Sequence, residues 1–178
     1  MRISEVFHGA PAEVRPAEEQ RVYDLLNALG IPFDRVDHDP ADTMEDCAAI
    51  SAVLGADICK NLVLTPRNHK TFYLLCLPGD KHFLTKDFSK QIGSSRLSFA
   101  SGEDMVELLG CHPGSASILG LMNDPEHRVV LALDRAVAEA EEFGCHPCRN
   151  TSSLRIRTKD IREVFLRHTG HEPVIVEL

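Results

Sequence analysis

Ile58-Cys59-Lys60-Asn61-Leu62-Val63-Leu64, the polar turn Pro66-Arg67-Asn68-His69-Lys70, and Thr71-Phe72-Tyr73-Leu74-Leu75-Cys76-Leu77 form the stretch that decides the fold. Two apolar runs of strand length flank a short basic loop, which predicts a hairpin of two buried strands. Cys59 and Cys76 read as core residues of those strands.

Helices flank the hairpin. On its N-terminal side, Ala17 to Leu29 carries Val22, Leu25, Leu26 and Leu29 at helical spacing, with Pro16 suited to the start and Gly30 to the end. Ile31 to Val36 reads as a short strand. Thr43-Met44-Glu45-Asp46 resembles a capping box opening a helix that runs to about Leu54 and closes at Gly55. On the C-terminal side, Thr85 is expected to cap a helix ending at Gly93, and Ser101 another with Met105, Val106, Leu108 and Leu109 as its apolar positions. Arg96 to Ala100 reads as a strand between them. Gly110 to Asp124 has no period and reads as a long loop, the kind of irregular stretch that is often functional. Strands follow at Val129 to Leu133, Phe143 to Cys145, Leu154 to Ile156 and Pro173 to Val176. A short acidic helix is expected over Asp134 to Glu142, and a last one from a Thr158 cap through Arg167, closed by Gly170. The irregular interleaving of helices and strands predicts a single α+β domain over residues 1–178, built on a mixed sheet.

Composition narrows the function. The 178 residues are 43% hydrophobic and 26% charged, ordinary values for a soluble globular protein. No apolar run approaches the ~20 residues a membrane span needs, and the first residues lack a signal-peptide pattern, so a cytoplasmic protein is expected. The net charge of −8 argues against a generic nucleic-acid binder, yet leaves room for an enzyme that grips only the end of an RNA through a local basic patch. The six cysteines are expected to be reduced thiols.

Three places could carry chemistry. Lys60 interrupts an apolar strand; it reads either as an edge lysine that snorkels or as a cation projecting into a pocket to hold a phosphate or polarise a carbonyl. Gly110-Cys111-His112-Pro113-Gly114-Ser115 reads as a helix C-cap and turn, or as a glycine loop whose amides bind an oxyanion. In Cys145-His146-Pro147-Cys148, the CxxC has no second pair at finger or ribbon spacing, so no metal site is expected, while His146 is a candidate acid, base or orienting group. No GxSxG elbow, HExxH or P-loop occurs, so a conventional nucleophile is not legible.

Taken in order, Lys60-Asn61-Leu62, the Gly110-x-x-Pro113-Gly114-Ser115 loop, Gly120-Leu121-Met122-Asn123-Asp124, His146-Pro147-x-x-Asn150-Thr151 and Gly170-His171-Glu172-Pro173 resemble the YbaK/prolyl-tRNA synthetase-associated domain family of trans-editing deacylases. The last two segments are similar to its free-standing alanyl-tRNA(Pro) deacylase branch, the ProX/PrdX-like proteins. The likeness runs from about Val22 to Leu178. It implies a mixed sheet or barrel-like core with flanking helices, and hydrolysis of a mischarged ester without a cofactor. Alanine is smaller than proline and fits the same synthetase pocket. A missing methylene is worth only ~1–3 kcal/mol there, so a second, smaller sieve is needed.

The resemblance assigns Lys60 and His146 as catalytic, His146 either through a polar contact with the 3′-terminal nucleotide or by assisting proton transfer. Lys60 would contact the terminal phosphate of the CCA end or position the ester, with Asn61 in support. Gly110, Pro113, Gly114 and Ser115 would hold the aminoacyl group and the developing oxyanion, and Asn150 and Thr151 would line the same pocket. Water could attack directly, assisted by the ribose 2′-hydroxyl, so catalysis would rest on positioning and electrostatics. The implied partners are aminoacyl-tRNA and, transiently, prolyl-tRNA synthetase or elongation factor. Alternatives are a deacylase for another mischarged tRNA, such as cysteinyl-tRNA(Pro), and a non-catalytic tRNA- or synthetase-binding module.

Overall fold

The computed structural model describes residues 1–178. The hairpin forms as expected: β3 (Lys60–Pro66) and β4 (Phe72–Leu77) pair antiparallel, with Lys60 opposite Leu77 and Asn61 opposite Cys76. They sit inside a five-stranded sheet of order β5-β3-β4-β6-β9, where β5 is Leu97–Phe99, β6 Val129–Asp134 and β9 Val174–Val176. The β4–β6 and β6–β9 pairs are parallel, so the sheet is mixed.

A second, antiparallel sheet has the order β1-β2-β8-β7, formed by Phe7–His8, Asp34–Asp37, Ser152–Arg157 and Glu142–Cys145. A single parallel bridge, Ile58 to Gly144, stitches the two sheets together beside the start of β3. The Cys59 amide donates to the Gly144 carbonyl at 3.0 Å. A side chain at 144 would collide with the Asp57 carbonyl, so this junction needs glycine.

The main core of 30 buried residues draws on both sheets and takes in Val22, Tyr23 and Leu26 of α1 (Ala17–Ala28). Two smaller clusters form from other residues. One sets Phe88 of α3 (Thr85–Ile92) against Leu64, Leu75 and Leu77. The other sets Ile50 and Leu54 of α2 (Met44–Leu54) against Val36. The result is the expected α+β domain with flanking helices. No helix is long and apolar enough to cross a membrane.

Local capping was partly legible. Thr43–Asp46 and Ser101–Asp104 are both complete capping boxes, opening α2 and α4 (Gly102–Leu109). Thr85 and Thr158 are not caps: each is the first residue of its helix, and Leu84 and Arg157 stand at the cap positions without side-chain bonds. Thr158 Oγ1 is buried with no hydrogen-bond partner. The segment 110–124 is not all loop, because Ile118–Asn123 forms a 3₁₀ helix started by the Ser117 hydroxyl. Arg135–Glu139 is α5, capped by Asp134. The last helix, 158–169, runs from α6 (Thr158–Asp160) through a π turn at Ile161–Phe165 to α7 (Leu166–Thr169).

Candidate functional site

Beside the hairpin lies a cavity of about 350 Å³. Its walls come from the start of α2, from β3, from β5 and from the loop after α4, with His146 joining from the turn between β7 and β8. Lys60, Asn61, Pro113, Gly114 and His146 all line it, although they span 87 positions of sequence from first to last. This is the gathering that motif order alone could only suggest.

Lys60 and Asn61 are neighbours on a strand, where successive side chains point to opposite faces. The Lys60 ammonium donates to the Lys81 carbonyl at 2.9 Å. That carbonyl fixes the ammonium without neutralising it, which leaves the Lys60 charge unpaired beside the cavity. Asn61 is tied down twice: its amide donates to the Cys59 carbonyl at 3.1 Å and its oxygen accepts the buried Cys76 thiol at 2.9 Å.

His146 is only 5% exposed. Burial lowers its pKa to about 4, opposed by a hydrogen bond to the Ser152 carbonyl and reinforced by the nearby His38. It is therefore a neutral imidazole at physiological pH. Its Nδ1 lies 3.0 Å from the Ser152 carbonyl, an atom that can only accept, so Nδ1 carries the proton and Nε2 the lone pair.

The other assigned residues stand outside the lining. Gly110 is the left-handed C-cap of α4, φ +64°, packed against Asn123. The Ser115 amide and hydroxyl both turn back to the His112 carbonyl, at 3.0 and 2.8 Å, which closes the loop on itself. Asn150 supports the wall from behind: its amide reaches Asp42 at 3.1 Å, and its carbonyl accepts the Ala41 amide. Thr151 offers its carbonyl to the His38 amide. Gly120–Asp124 and the 170–173 segment do not line the cavity either; they meet each other. Asp124 accepts from the Arg128 and Val129 amides and from His171 Nε2, each at 2.9 Å.

Several wall residues had no motif to announce them. Asp42, Thr43 and Met44 bring the capped start of α2 to the cavity, and Phe99 stands at its edge with 61% of its surface exposed. The Thr43 capping box was the one available signal, since a capped helix start carries partial positive charge. Cys59 packs against the main core and is partly exposed on the cavity wall.

The CxxC has a structural explanation. Cys145 and Cys148 are fully buried in the main core. Burial raises the Cys145 thiol, while hydrogen bonding to Cys111 and burial raise Cys148. Both shifts favour the protonated thiol. No three His, Cys, Asp or Glu side chains gather in a way that could hold a metal ion.

Residues 38–164 match the family model described as the aminoacyl-tRNA editing domain. The chain is 33% identical over 171 residues to prolyl-tRNA synthetase associated domain-containing protein 1 of Bos taurus, covering 94% of this chain and 96% of that one. It is 27% identical over 160 residues to the prolyl-tRNA editing protein ProX of Acetoanaerobium sticklandii, covering 90% and 97%. A crystal structure described as a candidate trans-editing enzyme for prolyl tRNA synthetase superposes with a TM-score of 0.66 at 19% identity, over 93% of this chain and 99% of that one, a likeness of fold.

Proposed function

The chain belongs to the aminoacyl-tRNA editing domain family, and on that premise we propose that it is a trans-editing deacylase that removes alanine from tRNA(Pro). The observation that carries this reading is one small cavity lined by both a lysine without a carboxylate partner and a neutral histidine. An aminoacylated CCA end offers the complementary groups: a phosphate, an ester and a terminal base.

In this reading Lys60 attracts the terminal phosphate and holds the ester in place. The Ser115 amide is already committed to His112, but the Gly114 and Ala116 amides on the cavity wall make no hydrogen bond within the chain. They are the donors suited to the oxyanion that forms as water attacks. His146 Nε2 accepts a hydrogen bond from that water. The water oxygen bonds to the acyl carbon, the bond from that carbon to the ribose 3′ oxygen breaks, and free amino acid leaves the tRNA with its 3′-hydroxyl restored. Phe99 gives the terminal base an exposed aromatic face.

Alanine as substrate follows from the size argument and from the ProX-like resemblance. Lining residues Val63, Met105 and Ala116 make one wall apolar, as a methyl side chain requires. Prolyl-tRNA synthetase or elongation factor would deliver the substrate to a protein of net charge −8. Deacylation of alanyl-tRNA(Pro) beside cysteinyl-, seryl- and prolyl-tRNA(Pro) tests the reading. Preferential release of alanine is expected. Faster release of cysteine would reassign the substrate, and tRNA binding without any hydrolysis would make the protein a binding module.

A further inference from the structure

Behind His146 lies a hydrogen-bond chain that the reaction as described does not use. Ser153, buried in β8, places its hydroxyl 3.1 Å from His146 Nδ1 and 2.9 Å from His38 Nε2. His38 Nδ1 in turn lies 2.8 Å from the Asp39 carbonyl. The two rings are 6.1 Å apart, so Ser153 is the link between them.

The chain has one direction. Each end is a backbone carbonyl, Ser152 at one and Asp39 at the other, and a carbonyl only accepts. His38 must therefore donate from Nδ1, which leaves Nε2 as an acceptor. That nitrogen takes the single Ser153 proton. With its proton committed, the Ser153 oxygen can only accept from His146 Nδ1. The alternative form of His146, protonated on Nε2, would set two lone pairs against Nδ1 in a buried site. Unmet polar contacts of that kind cost about 1–3 kcal/mol.

We propose that Ser153 and His38 are positioning residues that hold His146 with its proton on Nδ1, so that Nε2 meets the substrate as a hydrogen-bond acceptor. The proposal rests on the reading of this cavity as the deacylation site. His38 acts on the His146 tautomer at one remove, through the proton it draws from Ser153. The Ser152 side chain anchors the same strand end, within 3.0 Å of Glu19 and 2.8 Å of Asp37.

The test is the protonation pattern of the His146 ring, read by nitrogen-15 NMR on the full chain, combined with deacylation kinetics. Wild-type protein is expected to carry the proton on Nδ1. Ser153→Ala and His38→Ala are each expected to move population toward the Nε2–H form. Each should also lower kcat about tenfold, the lower end for loss of an outer orienting partner, with KM changed less. Ser153→Thr, which keeps the hydroxyl, should restore the wild-type pattern. A purely structural role would not shift the tautomer. Wild-type His146 protonated on Nε2 overturns the proposal whatever the variants do, as does an unchanged pattern in both alanine variants. The NMR readout needs no substrate, so a wild-type protein with the Nδ1–H pattern and no deacylase activity would overturn the functional reading alone.

Discussion

The Lys60 ammonium rests on the Lys81 backbone carbonyl at 2.9 Å, while the Lys81 side chain turns to Asp134 at 2.8 Å. The two lysines therefore divide their work. Lys81 is neutralised by a buried carboxylate, and Lys60 is oriented by a dipole that leaves its charge available. Lys60→Ala should cost deacylation about 100-fold or more, the scale of losing one preorganised electrostatic contact. Its unfolding midpoint should stay close to wild type, because a single carbonyl is freed in a partly exposed place. Single-turnover release of alanine and a thermal melt of the same sample check both halves. A folded variant with full activity would remove Lys60 from the mechanism.

Phe99 makes a separable prediction. The residue is 61% exposed at the cavity edge, too exposed to serve the core. Base stacking on an aromatic ring is worth about 1–3 kcal/mol. Phe99→Ala should therefore raise KM for aminoacyl-tRNA about tenfold with little change in kcat, whereas Phe99→Tyr should behave as wild type. Unchanged KM in the alanine variant would leave the terminal base without this platform.

Gly120 tests the packing under the substrate loop. A methyl there would lie 2.7 Å from the Leu109 carbonyl and 3.1 Å from the Cys111 sulfur, both in tightly packed surroundings. Gly120→Ala should destabilise the fold by about 1–3 kcal/mol, the usual range for overpacking. Urea unfolding followed by circular dichroism measures it. The fluctuations of the 110–115 loop should rise with it, visible as faster amide exchange.

Stability should fall as the solution is acidified below neutral. His146 has a folded pKa of about 4, below the ordinary value of 6.5, because burial disfavours its charged form. The unfolded chain then binds a proton that the folded one refuses between those two values, so stability is full above about 6.5 and declines toward 4. The buried His38 is lowered for the same first reason and adds to the trend. The His146 shift alone predicts a loss on the order of 3 kcal/mol between pH 7 and pH 4, and His38 acts in the same direction. His146→Gln should flatten the urea midpoint across this range.

The local elements of this protein were written in local sequence. Thr43-Met44-Glu45-Asp46 needs only its own four residues to close a capping box, and the β3–β4 hairpin needs only a five-residue turn between two apolar runs. Thr85 and Thr158 misled for an equally local reason. A threonine before an apolar run caps a helix only if its backbone is extended, and at both positions the backbone is already helical. The motif order also identified Lys60, Asn61, Pro113, Gly114 and His146 as candidates, and the cavity holds all five.

Other roles depended on contacts far apart in the chain. Gly110 and Ser115 belong to the same loop as Pro113 and Gly114, but the turn onto His112 and the packing against Asn123 face them away from the lining. Ser153 looks like any strand serine until β2 and β8 pair and bring it to His38, 115 residues distant. Sequence by itself determined the short-range elements and the chemical types available, because capping and turn formation are complete within a few residues. The tertiary structure alone decided which of those groups face one cavity and which nitrogen of His146 holds its proton, because both depend on hydrogen-bond partners that only the packed sheets bring together.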